Sequence, residues 1–266
     1  MTQEKWLVDR AKTIDIALVR SLKVSLVGGQ VDIVGHDEPG ARVEVHSVRG
    51  KDLKISIDGD ALEIDHPQLG WDNFIDVFRS FSGSSKADVS IMVPRDIALK
   101  FGVVSADGLI TGLTSDATIS SVTANLVVDG LTGDLQLNSV GGELAVRGHT
   151  GNVSAHTVSG DITVSGDIPR FTADTVSGSV FVDLLGTPEE ARINTVSGRI
   201  TTRLAPGVPA RYRVNTASGR LQLDESEITG VHGSYTGKFG VLDESWLEFR
   251  ASTVSGSISV LHAVSA

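Results

Sequence analysis

His-Thr-Val-Ser-Gly-Asp-Ile-Thr-Val runs from 156 to 164, and Asp-Thr-Val-Ser-Gly-Ser-Val-Phe-Val from 174 to 182. The second stretch is the first displaced by 18 residues. With the valine of each unit as a marker, Val104, Val122, Val140, Val158 and Val176 keep that spacing. Val196 then follows after 20 residues, Ala217 after 21 and Val254 after 37. A fixed internal period is the mark of an architecture built by stacking one unit on the next.

Fixed offsets from the marker give apolar columns. Four residues on stand Leu126, Leu144, Ile162, Val180, Ile200, Leu221 and Ile258; six on stand Ile110, Val128, Val146, Val164, Val182, Thr202, Leu223 and Val260. Later in each unit come the pairs Ala117/Ile119, Leu135/Leu137, Val153/Ala155, Phe171/Ala173, Ala191/Ile193, Tyr212/Val214 and Phe249/Ala251. Alternation within each half is the period of a strand with one buried side. Gly130, Gly148 and Gly166, also 18 apart, join the halves, as glycines do where a turn needs positive φ or a close backbone approach. Like residues at constant offset stack automatically in a coil that climbs one strand spacing, about 4.8 Å, per turn. The fold class expected is therefore all-β: a β-solenoid of about nine two-faced rungs of ~18 residues, wound right-handed by the crossover rule.

Before the regular part, Ile14/Ile16/Leu18, Leu22/Val24/Leu26, Val31/Ile33, Val43/Val45, Leu53/Ile55/Ile57 and Leu62/Ile64 alternate between Gly, Asp and Pro punctuation. They read as wider rungs or as a small sheet on the end of the coil, with Trp6 and Leu7 plugging its open bottom. Residues 67–87 break the pattern. Phe74, Phe78 and Phe81 recur at helical spacing after Trp71, which predicts one short amphipathic helix around 72–80. It reads as a lid on the coil, with Trp71, Phe74, Phe78 and Phe81 as the candidate docking residues for a protein partner through 70–84. Residues 224–245, with Gly230, Gly233, Gly237 and Gly240, form an excursion or hairpin in place of a rung. The chain thus reads as one elongated domain over 1–266: irregular rungs and cap over 1–100, regular solenoid over 101–264.

A net charge of −10 and a pI near 5.1, with no run of Lys or Arg, speak against nucleic acid and anionic membrane as partners. There is no cysteine, hence no disulfide and no thiol nucleophile. The opening residues lack the apolar core of a secretory signal, and no apolar run reaches the ~18 residues of a membrane span. The expected location is the cytoplasm, peripheral to a membrane only through a partner.

The repeat units, with Val93-Pro94 and the Gly-rich excursion before the last Thr-Val-Ser-Gly, resemble the bacterial putative-adhesin family of β-strand repeats. The likeness runs from about Lys5 to Val260 and rests on Ser-Gly pairs ending at Gly160, Gly178, Gly198, Gly219 and Gly256. The resemblance implies a repeat architecture, no assigned catalytic residues and a domain of unknown function.

Chemistry-bearing clusters are scarce. Asp161, Asp167, Asp174 and Asp183 with Arg170 could line neighbouring turns as in polysaccharide-active β-helix enzymes, but Asp after Ser-Gly is an ordinary turn residue. His149 and His156 fall on different edges, and no histidine has metal-ligand spacing. No catalytic, cofactor or metal residue is assigned, and the chain reads as a non-enzymatic scaffold or interaction protein. The alternative is binding of carbohydrate or another repeating surface along an outward hydroxyl ladder made of the marker valines' neighbours: Thr157, Ser159, Thr175, Ser177, Thr195, Ser197, Thr216 and Ser218.

Overall fold

The computed structural model describes residues 3–66, 85–224, 226–228, 233–243 and 245–263. Among them every regular element is a strand. The helix expected around 72–80, and with it Trp71, Phe74, Phe78 and Phe81, lies outside the described residues. The chain divides into two compact units, Met1–Gly133 and Asp134–Ala266.

In the second unit the repeat folds as its columns demand. Leu135–Gly141, Val153–Ser159, Arg170–Thr175 and Glu190–Thr195 stack parallel and in register, so that Leu135, Val153, Phe171 and Ala191 form one column. Leu144–Thr150, Ile162–Asp167, Val180–Leu185 and Ile200–Leu204 form the opposing layer, with Leu144, Ile162, Val180 and Ile200 in line. Each of these eight side chains is buried. Burying the two inward columns is the main stabilising term, at roughly 1.5–3 kcal/mol for each large side chain.

The rungs do not stack in the order of the sequence. Leu247–Thr253 pairs with Glu190–Thr195 on one side and with Ala210–Thr216 on the other, and both pairings are parallel. Ile258–His262 is likewise held between Ile200–Leu204 and Leu221–Leu223. The last rung of the chain is thus inserted beneath its predecessor. The excursion expected over 224–245 supplies a cover instead of a rung: Gly233–Phe239 runs antiparallel along Ala210–Thr216, and Ser226–Ile228 along Leu221–Leu223. Insertion sheathes the final strands on both edges, where an end strand would otherwise offer unpaired backbone groups.

The first unit repeats the device at the start of the chain. Ser21–His36 is a full rung, folded at Gly28 and Gly29, and lies between Ala98–Thr111 on one side and Ala61–Asp65 with Lys86–Pro94 on the other. A Cβ on Gly29 would stand 2.0 Å from the Ala87 carbonyl oxygen, at a φ of +112°, so only glycine serves there. Antiparallel strands then close the stack: Leu53–Asp58 and Gln3–Val8 on one face, Ala41–Arg49 and Lys12–Ile16 on the other. The irregular early strands are therefore both things the sequence allowed, one rung and a capping sheet. Within the cap Val8 faces inward, whereas Leu7, expected to plug the coil, is 59% exposed.

Candidate functional site

The Thr-Val-Ser-Gly corner is where the structure departs most from expectation. Thr157, Thr175, Thr195, Thr216 and Thr253 are buried, while Val140, Val158, Val176, Val196 and Val254 stand about half exposed. The reason is alternation carried one step further: Phe171 and Ala173 face inward, so Thr175 does too, and the turn begins only at Val176. The hydroxyl ladder is thus split. Ser159, Ser177, Ser197 and Ser218 remain outside, whereas Thr157, Thr175, Thr195 and Thr216 belong to the interior. Inside, the Thr157 hydroxyl accepts from the Gly160 amide at 3.2 Å and the Thr253 hydroxyl from the Gly256 amide at 2.9 Å, which ties the turn to the strand. The glycine is fixed by crowding: a Cβ on Gly160, Gly178 or Gly198 would lie 2.1 Å from the carbonyl oxygen of the glycine one rung below.

Beyond the corner, the outer face of five paired strands carries its side chains in rows. From the order of pairing, Asp174, Asn194, Ser252, Asn215 and Ser234 form the row nearest the corner. Asn194 Nδ2 donates to Asp174 Oδ1 at 2.7 Å, and His156 Nδ1 lies 3.3 Å from Asp174 Oδ2. Two residues further along the strands stand Arg192, Arg250 and Arg213, directly opposite one another. A third row carries Glu190, Glu248, Arg211 and Lys238. Glu248 is shared by Arg211 at 3.7 Å, Arg213 at 3.4 Å and Arg250 at 3.5 Å. The first row is the floor of a shallow groove of about 550 Å³, whose corner wall is Val196, Val254 and Ala217. The groove thus has an apolar wall and a floor of amides, hydroxyls and the Asp174 carboxylate, and the arginine row lies beside it, two residues beyond the floor on the same strands.

The model of the family described as Toastrack DUF4097 matches residues 19–261. The chain belongs to the Toastrack DUF4097 family. Solved structures with the same fold include a "putative lipid binding protein" and a "putative adhesin", both from Parabacteroides distasonis ATCC 8503. The first is 14% identical with a TM-score of 0.52, the second 13% identical with a TM-score of 0.50; each match covers 95% of this chain and 97% of the other. No curated protein matches the chain by sequence. The family resemblance read from the Ser-Gly repeats is thereby shown.

A second cluster in this Toastrack chain was illegible in sequence. In the first unit Lys5, Lys23, Lys54 and Lys100 converge from four strands on a groove of about 890 Å³, together with Asp58, Glu63 and Asp116. Lys23 Nζ donates to Glu63 at 2.7 Å, and Lys54 lies 3.7 Å from Glu63 and 3.5 Å from Asp65. The Lys23 hydrogen bond holds the Glu63 carboxyl below its ordinary range, while burial pushes that of Asp65 up. Four cations against these carboxylates leave the groove close to neutral.

Of the four carboxylates weighed as acid and base, Asp167 is exposed and the other three are engaged separately. Asp161 accepts from the Ser179 amide at 2.8 Å, Asp174 holds Asn194, and Asp183 is clamped by the Arg203 guanidinium. Arg170 pairs with Glu189 at 3.1 Å. His149 is buried and His156 lies outside. Among the described residues no group of His, Asp or Glu could hold a metal ion, and no helix is long and apolar enough to cross a membrane.

Proposed function

We propose that this Toastrack chain is a non-enzymatic, adhesin-like interaction module whose binding face is the corner groove of residues 134–266, and that its ligand is a carbohydrate chain or comparable repeating surface lying across the strands. The observation that carries the reading is the in-register column of half-exposed valines beside the amide and hydroxyl row. A corner side chain that stays half exposed gains less from burial than a core residue, yet it is apolar at rung after rung. A sugar presents apolar C–H faces and hydroxyl edges in alternation, which this wall and floor match. Asp161, Asp174 and Asp183 of the same unit support binding rather than turnover, because each is engaged by a different neighbour. The descriptions of the two related structures, one as lipid binding and one as an adhesin, also name binding.

The test is a glycan array read with wild-type protein and with Val196→Ser/Val254→Ser. Both valines are about half exposed and the serines bring no charge, so the double variant should stay folded, as its thermal midpoint will report. Wild-type signal that disappears in the variant is the expected result. An array silent for the wild type defeats the reading.

A further inference from the structure

We infer that the groove takes an acidic polysaccharide, bound through the guanidinium row Arg192, Arg250 and Arg213. The inference rests on the proposed binding face and names the class of its ligand.

The charge pattern is unusual for this chain. In a protein of net charge −10, three arginines stand directly opposite one another on adjacent parallel strands, about 4.8 Å apart. Like charges so placed repel and cost stability. Within the protein they are poorly compensated. Arg250 and Arg213 share the single carboxylate of Glu248 with Arg211; Glu190 lies 3.9 Å from Arg250, and Arg192 makes no ion pair among the described residues. Lys238 adds a further exposed cation at the edge. An external anion with one charge for about every strand crossed would relieve the repulsion, and guanidinium forks suit carboxylate oxygens in pairs.

The surroundings choose among anions. Both a polyphosphate and a uronate chain can place a charge at each strand, but inorganic polyphosphate has no hydroxyl edge or C–H face for the amide row and the valine wall. A uronate chain carries its carboxylate on one edge and neutral hydroxyls on the rest. Laid with the carboxylates on the arginine row, it sets hydroxyls against Asn194, Ser252 and Asn215, whose amides and hydroxyl both donate and accept. Its C–H faces meet Val196 and Val254. Beside the third row the Trp246 ring is taken up by the Arg211 guanidinium, 5.3 Å from its centroid, and titration with oligo-dT tests base stacking directly.

The experiment is titration calorimetry of the full chain with a galacturonate hexamer, cellohexaose, inorganic polyphosphate and an oligo-dT. Galacturonate should bind, lose affinity as salt rises, and bind at least tenfold more weakly to Arg192→Gln/Arg250→Gln. Arg192→Gln alone, which breaks no ion pair, carries the test should the double variant melt early. Lys100→Gln, in the lysine groove of the first unit, should leave binding unchanged; equal weakening there overturns the assignment. Cellohexaose bound as tightly as galacturonate and indifferent to the arginine variants leaves the proposed function standing and overturns the acidic ligand. Polyphosphate or oligo-dT bound as tightly as galacturonate also overturns it. Failure of both oligosaccharides defeats this inference and the proposed function together.

Discussion

Thr195 and Val196 are neighbours in sequence with opposite fates, 6% and 47% exposed. At this scale the repeat is a set of small steric and hydrogen-bonding decisions. The threonine hydroxyls divide into those that hold the turn and those without a partner. Thr253→Val leaves the Gly256 amide without its acceptor and should cost about 1–2 kcal/mol. Thr195→Val removes a buried hydroxyl that bonds to nothing among the described residues, and should be neutral or slightly stabilising. Urea midpoints for the pair decide the matter, and equal costs would refute the role given to the turn hydroxyl. Glycine positions separate in the same way. Gly178→Ala drives a methyl to 2.1 Å from the Gly160 carbonyl oxygen and should cost about 3 kcal/mol. Gly130→Ala meets open space at a φ of +64° and should cost about 1 kcal/mol. Thermal melts in which Gly178→Ala is no worse than Gly130→Ala would contradict the stacking account of the corner.

At the scale of elements, the inserted rung is the notable feature. Leu247–Thr253 lies near the end of the chain yet is hydrogen-bonded along both edges, while Gly233–Phe239 covers only one strand. Native-state hydrogen exchange should therefore be slower for residues 247–253 than for 233–239, reversing the usual fraying of a chain end. Phe249, fully buried and edge-on to Tyr212 with ring centroids 6.1 Å apart, anchors the insertion. Phe249→Ala should cost about 3–5 kcal/mol and raise exchange in both Leu247–Thr253 and Ala210–Thr216. The same insertion sets Arg250 between Arg192 and Arg213. Stacked in sequence order, the rungs would keep the row but put Arg213 in its middle, since all three arginines stand four residues before their corner marker.

At the scale of the whole molecule, pH is the accessible variable. His66 is buried, its Nδ1 accepts from the Val27 amide at 3.2 Å, and burial lowers its pKa from 6.5 to about 4. The unfolded chain takes up this proton near pH 6.5 and the folded chain only near pH 4. Between those values the unfolded state binds more protons, so stability falls as pH drops through the window and levels off below it. The loss from this one ring is at most roughly 3 kcal/mol. His66→Gln, whose side-chain oxygen can still accept from Val27, should flatten the urea midpoint between pH 7 and pH 4.5. A slope unchanged in that variant would assign the acid sensitivity to other groups.

Much of this was legible in the residues themselves. The 18-residue period, the alternating columns and the Ser-Gly corners determined strands, rungs and family, because a parallel stack forces like residues to equal offsets. The period also located the candidate corner, but its final alternation step was hidden: threonine suits an inner or an outer strand position equally, and only the packing of Phe171, Ala173 and their counterparts placed it inside. The order of the rungs could not be read at all, since columns are unchanged when one rung is slipped beneath another. The constant offset already set Arg192, Arg213 and Arg250 in one column; tertiary structure alone decided that Arg250 stands between the other two and that Lys5, Lys23, Lys54 and Lys100 share a groove. The four lysines are scattered along the chain at no common offset, and strand pairing, not sequence proximity, sets the distance between their charges.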